Sequence, residues 1–151
     1  MEIDCVHFYV KNAAQIQDLL IGQMGLRDLG RNVTENTIEY LVGNAHLLFS
    51  ISSPLNSTSP VAKYLQHHPS GVKGISFQVP DLAVIRQRVD RLGLEIISAS
   101  NDRSNSPYLK IQGWGSIEHT FIQSSPTLTT ATIDRQSLIT GIDHQIGRAH
   151  V

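Results

Sequence analysis

Residues 3–12 read IDCVHFYVKN, and residues 72–81 read VKGISFQVPD. Both stretches are rich in the β-branched and aromatic residues that favour strands. Each ends on a short polar residue, Asn12 or Asp81, of the kind that caps a helix N-terminus. Phe8 matches Phe77, Val10 matches Val79, and the match runs on through Ile16 and Ile85. Apolar residues at helical spacing follow each cap: Ala13, Ile16, Leu20 and Met24, then Leu82, Ile85, Val89 and Leu92. The segments MGL (24–26) and LGL (92–94) then place a glycine where a helix stops in the left-handed conformation. A recurrence of strand, cap, helix and glycine in the same order predicts a duplicated module.

Working outward, the first module continues with strand candidates at Leu26 to Val33, Thr37 to Val42 and His46 to Ser52, with a turn signal at Gly43-Asn44. The polar segment SSPLNSTSP leads to a short helix around Val61 to Leu65, with Pro60 in its first turn. The second module continues with Leu94 to Ala99, Tyr108 to Gln112 and Ser116 to Gln123, the last two closing as a hairpin around Gly113-Trp114-Gly115. The expected fold class is α+β. Two βαβββ modules, at 1–53 and 71–124, form a curved mixed sheet with helices on its outer face. The next segment, 125–137, is rich in Ser and Thr and reads as a linker. LITGIDHQ (138–145) then repeats the opening pattern, so a further module is expected to begin there.

The bulk properties exclude several classes. With 151 residues, 40% hydrophobic and 17% charged, the chain can bury a real core. A formal net charge of −1 and the lack of a basic stripe give no footing for nucleic acid. No apolar run approaches membrane-spanning length, and Met1-Glu2-Ile3-Asp4 does not open like a signal peptide. The lone Cys5 excludes an internal disulfide. A cytoplasmic protein is the expectation.

The segments IDCVHFYVKNA, HHPSGVKGISFQVPDLAVIRQRVDRLGLEII and GWGSIEHTFIQ, followed by a linker and GIDH, resemble the 4-hydroxyphenylpyruvate dioxygenase family of the vicinal-oxygen-chelate superfamily. The resemblance covers residues 1 to 145 and corresponds to the amino-terminal half of such an enzyme plus the first strand of its catalytic half. It implies an iron(II) enzyme of aromatic amino acid metabolism, in tyrosine catabolism or in quinone and tocopherol synthesis. Its substrates would be 4-hydroxyphenylpyruvate and dioxygen, and its products homogentisate and carbon dioxide. The iron would belong to the full-length enzyme, and none is expected on this part. A homo-oligomer is expected. The final IGRAHV (146–151) resembles a translated sequencing adapter, so the expectation is a truncated record ending in a non-native tail.

The resemblance also implies where the superfamily's metal ligands would fall in these two modules: Cys5, its repeat equivalent Gly74, and Thr120 on the last strand. Glycine offers no ligand and threonine a poor one. His144, in IDH, stands where the catalytic half would place its first iron ligand. The amino-terminal half is therefore expected to be structural and inactive alone. Alternatives are a 4-hydroxymandelate synthase fragment, a stand-alone two-module binder of small molecules, or a self-contained glyoxalase-like or extradiol-type metalloenzyme.

Other polar residues read as structural. Cys5 reads as a buried small hydrophobe, and His7 as a satisfied structural histidine on the same strand face. His67-His68 reads as a surface pair. Glu118 and His119, as strand neighbours, should face opposite sides. Trp114 reads as a hairpin tip or an interface residue.

Overall fold

The computed structural model describes residues 1–101 and 106–124. The linker, the expected third module with His144, and the 146–151 tail lie outside the described residues.

The first module comprises β1 (Glu2–Tyr9), α1 (Ala13–Met24), β2 (Arg27–Val33), β3 (Thr37–Gly43) and β4 (Leu48–Pro54). A short helix, α2 (Pro60–Leu65), links it to the second: β5 (Gly71–Val79), α3 (Leu82–Leu92), β6 (Ile96–Ser100), β7 (Tyr108–Gln112) and β8 (Glu118–Gln123). The predicted caps form. Asn12 accepts a hydrogen bond from the Gln15 amide and Asp81 from the Ala83 amide, while Gly25 and Gly93 end the two helices at φ 68° and 64°. A side chain at either glycine would strain that left-handed backbone.

Three strands start two residues later than expected. β4 starts at Leu48 rather than His46, because Asn44 accepts hydrogen bonds from the His46 and Leu47 amides and spends those residues in the turn. Gly43-Asn44 is therefore not a two-residue hairpin turn. β6 begins at Ile96, since the Leu94 amide closes the end of α3 onto Val89. β8 begins at Glu118, because the Ile117 amide turns back to Trp114.

One eight-stranded sheet runs β2-β3-β4-β1-β5-β8-β7-β6. The order is symmetrical about the middle. Each module's first strand pairs in parallel with its own last strand, and the two first strands pair antiparallel at the centre. The curved mixed sheet expected from the repeat is thus the observed fold.

The core repeats as well. Val10, Ala13, Leu20 and Val42 are buried under α1, and their counterparts Val79, Leu82, Val89 and Ile111 under α3. Strand alternation then sends the intervening side chains to the opposite, concave face. That face carries many hydroxyl and charged side chains, with Ser50, Ser52, Ser76 and Thr120 among its residues, beside Tyr9, Tyr108 and Ile122.

β1 and β5 interrupt their alternation at matching places. Ile3 faces Phe77 and Cys5 faces Ser76, so Asp4 is an extra residue in β1. His7 faces Gly74 and Phe8 faces Val72, so Lys73 is an extra residue in β5. Asp4 and Lys73 are equivalent in the repeat. A bulge of this kind re-aims a side chain out of the regular alternation. Asp4 accepts a 2.8 Å hydrogen bond from Gln78 Nε2, and Lys73 reaches across to β8.

Candidate functional site

The sheet's curvature forms a concave cleft of about 590 Å³. Its floor comes from β1 and β5 and its walls from β3, β4, β7 and β8. Both modules contribute.

On the second-module side, Glu118 stands between two ammonium groups. Lys73 Nζ lies 2.7 Å from one carboxylate oxygen and Lys110 Nζ 3.3 Å from the other. Burial alone would raise the Glu118 pKa. The Lys73 hydrogen bond and the Lys110 charge outweigh it and hold the carboxyl below its usual range. Lys73 also sits 5.0 Å over the Tyr64 ring, a cation–π contact. Tyr64 in turn stacks on His68, whose Nε2 shares a 2.6 Å hydrogen bond with Ser116. The wall is therefore a connected set running from α2 through β5 to β8.

On the first-module side, Glu39 accepts a 2.5 Å hydrogen bond from Ser50 Oγ. His7 lies between the two walls, its Nε2 sharing a 2.7 Å hydrogen bond with Ser76. Burial lowers the His7 pKa, so the imidazole is neutral at pH 7. Tyr9, next along the floor, has its phenol pKa raised by burial and by Glu118 and Glu39.

The positions where the resemblance implies metal ligands do not form a donor set. Cys5 is buried, its thiol pKa pushed up to about 12 by burial and by Asp4, and its Sγ leans on the Val6 carbonyl at 3.7 Å. A thiol so held is inert rather than a thiolate ligand. Gly74 is crowded as well as ligand-free: a Cβ there would lie 3.0 Å from the Glu118 carbonyl oxygen. Thr120 lines the cleft with only a hydroxyl. Among the described residues, no three His, Cys, Asp or Glu side chains converge well enough to hold a metal. The residues described here thus do not fit an iron centre.

The remaining readings are settled by geometry. Glu118 faces the cleft while His119 packs edge-on against Phe77 on the other face, so the two do not converge. His67 is exposed, whereas His68 is anchored, so the expected surface pair splits. Trp114 is 79% exposed at the β7–β8 tip. Lys73, Lys110 and Glu39 were not singled out by sequence. The signal that could have found Lys73 is Gly74, since a glycine inside a strand marks a bulge or a close backbone approach.

The chain is similar to an uncharacterised protein of Synechocystis, at 25% identity over 97% of the chain and 43% of that protein. It is also similar to 4-hydroxyphenylpyruvate dioxygenase of Yarrowia lipolytica, at 27% identity over 80% of the chain and 34% of that protein. The chain thus spans less than half the length of these relatives. No protein-family model matches. Among solved structures, it superimposes on 4-hydroxymandelate synthase of Streptomyces coelicolor with a TM-score of 0.71 at 18% identity, covering 81% of this chain and 38% of that one. Methylmalonyl-CoA epimerase of Mycobacterium tuberculosis superimposes with a TM-score of 0.64 at 19% identity, covering 83% and 89%. The chain has the vicinal-oxygen-chelate fold. No helix among the described residues is long and apolar enough to cross a membrane.

Proposed function

We infer that this chain is the structural, non-catalytic first domain of an iron(II) dioxygenase of the 4-hydroxyphenylpyruvate type. The observation that carries the reading is the state of the superfamily's metal positions. Cys5 is a protonated buried thiol, and Gly74 has no side chain to offer and lies tight against the Glu118 carbonyl oxygen. The similarity to the Yarrowia enzyme supplies the direction. In this reading iron belongs to a following domain. That domain begins near 138, His144 contributes the first ligand, and the substrates are 4-hydroxyphenylpyruvate and dioxygen. The first domain's work is to fold and to pack against its neighbour.

Anaerobic iron(II) titration of the 151-residue chain tests this, together with sequencing of the locus past the codon for Gln145. The expected result is no stoichiometric iron and a continuing frame that encodes a second histidine and a late glutamate. Tight one-to-one iron binding, or homogentisate formed by the chain alone, overturns the reading. A second reading, a stand-alone small-molecule binder, is favoured by the polar cleft. A confirmed stop after Val151 would select it.

A further inference from the structure

The charges in the cleft are sorted. Lys73 and Lys110 share one carboxylate, Glu118, which leaves one positive charge in excess on the second-module wall. Lys110 is the more available of the two. Its contact is the longer, its side chain is 33% exposed against 18% for Lys73, and Lys73 is further held over Tyr64. The opposite wall carries Glu39, whose described hydrogen bond, from Ser50, occupies only one carboxylate oxygen. Between the walls stand neutral hydrogen-bonding groups, the His7–Ser76 pair and Gln78, with Thr120 beside them on β8.

We propose that the cleft binds an elongated small zwitterion, its ammonium end toward Glu39 and its carboxylate end toward Lys110. A bare anion would meet the charge of Glu39, and a bare cation that of Lys73 and Lys110. A molecule with opposite charges at its ends satisfies both walls. The walls set its length. Glu39 leans to Ser50 on β4 and Lys110 to Glu118 on β8, three strand steps apart, or about 14 Å along the sheet and less across a concave surface. A free α-amino acid is too short. A tripeptide with free termini, roughly 10 Å when extended, fits. The serine, threonine and glutamine side chains of the cleft suit its peptide groups. This inference holds whether or not a catalytic domain follows.

Calorimetric titration of the 151-residue chain at low salt tests it, with triglycine, N-acetyl-triglycine and triglycine amide as probes. Triglycine is expected to bind one-to-one, and each capped form at least about tenfold more weakly, the effect of losing one charged hydrogen bond. Lys110→Met should abolish discrimination against the amide, and Glu39→Gln discrimination against the acetyl form. Each variant's fold is checked by circular dichroism. Capped forms that bind the unmodified chain as well as triglycine does would overturn the proposal. So would the lack of triglycine binding at a dissociation constant of about 1 mM or tighter.

Discussion

Lys73 meets Glu118 at 2.7 Å only because β5 carries an extra residue, and that residue is Lys73 itself. In an unbroken strand, Gly74, Ser76 and Gln78 would face the cleft and Lys73 would point into the helical layer. The bulge thus converts a would-be buried cation into the main partner of a cleft carboxylate.

Removing that partner should be legible in acid. Glu118 has a lowered folded pKa, so its contribution to stability is present above the unfolded carboxylate pKa. It is lost as the pH falls through the folded value. Lys73→Met should raise the Glu118 pKa, measured by carboxyl-carbon NMR titration. It should cost about 1–2 kcal/mol at neutral pH, and less at pH 3.

His7 gives a stability change nearer neutrality. Its folded pKa is lowered by burial, so the unfolded chain binds the proton more readily. Stability is full above the unfolded value of about 6.5 and falls as the pH drops through it toward the folded value. His7→Gln, which keeps a hydrogen-bonding group beside Ser76, should flatten the decline in melting temperature between pH 7.5 and pH 5. His119, also lowered by burial, should leave a residual slope.

Gly74→Ala should be destabilising by about 1–3 kcal/mol, because a methyl group would have to displace the β8 backbone at Glu118. Urea unfolding measures this. An unchanged midpoint would show that β8 yields freely there. Crowding would then no longer explain the lack of a ligand at this position.

The Cys5 thiol, with its pKa near 12, should resist alkylation by iodoacetamide at pH 8 in the folded chain and react promptly in denaturant. Mass spectrometry of the labelled protein separates the two states.

The duplicated architecture was legible because its signals are local. Asn12 and Asp81 cap, Gly25 and Gly93 stop, and Val10 and Val79 begin the two cores. The cleft was less legible because its parts are distant in sequence. Glu118 takes Lys73 and Lys110 as partners from two other strands, and no spacing rule connects them. Strand alternation correctly separated Glu118 from His119. The same rule fails at Asp4 and Lys73, since a bulge depends on how two strands pair, which one strand's sequence does not state. The sorting of charge between the walls follows from that pairing.

The mirrored strand order has a consequence for how the polypeptide can be cut. The two modules meet along β1 and β5, while the connection between them runs through the exposed stretch from Leu55 to Thr58 and then α2. A protease nick between Asn56 and Ser57 would sever that tether and leave every rung of the central β1–β5 ladder in place. Its effect would be to turn an intramolecular pairing into a concentration-dependent one, with two polypeptides of 56 and 95 residues reassembling into the same sheet. The joint is indifferent to whether its two strands belong to one molecule or to two.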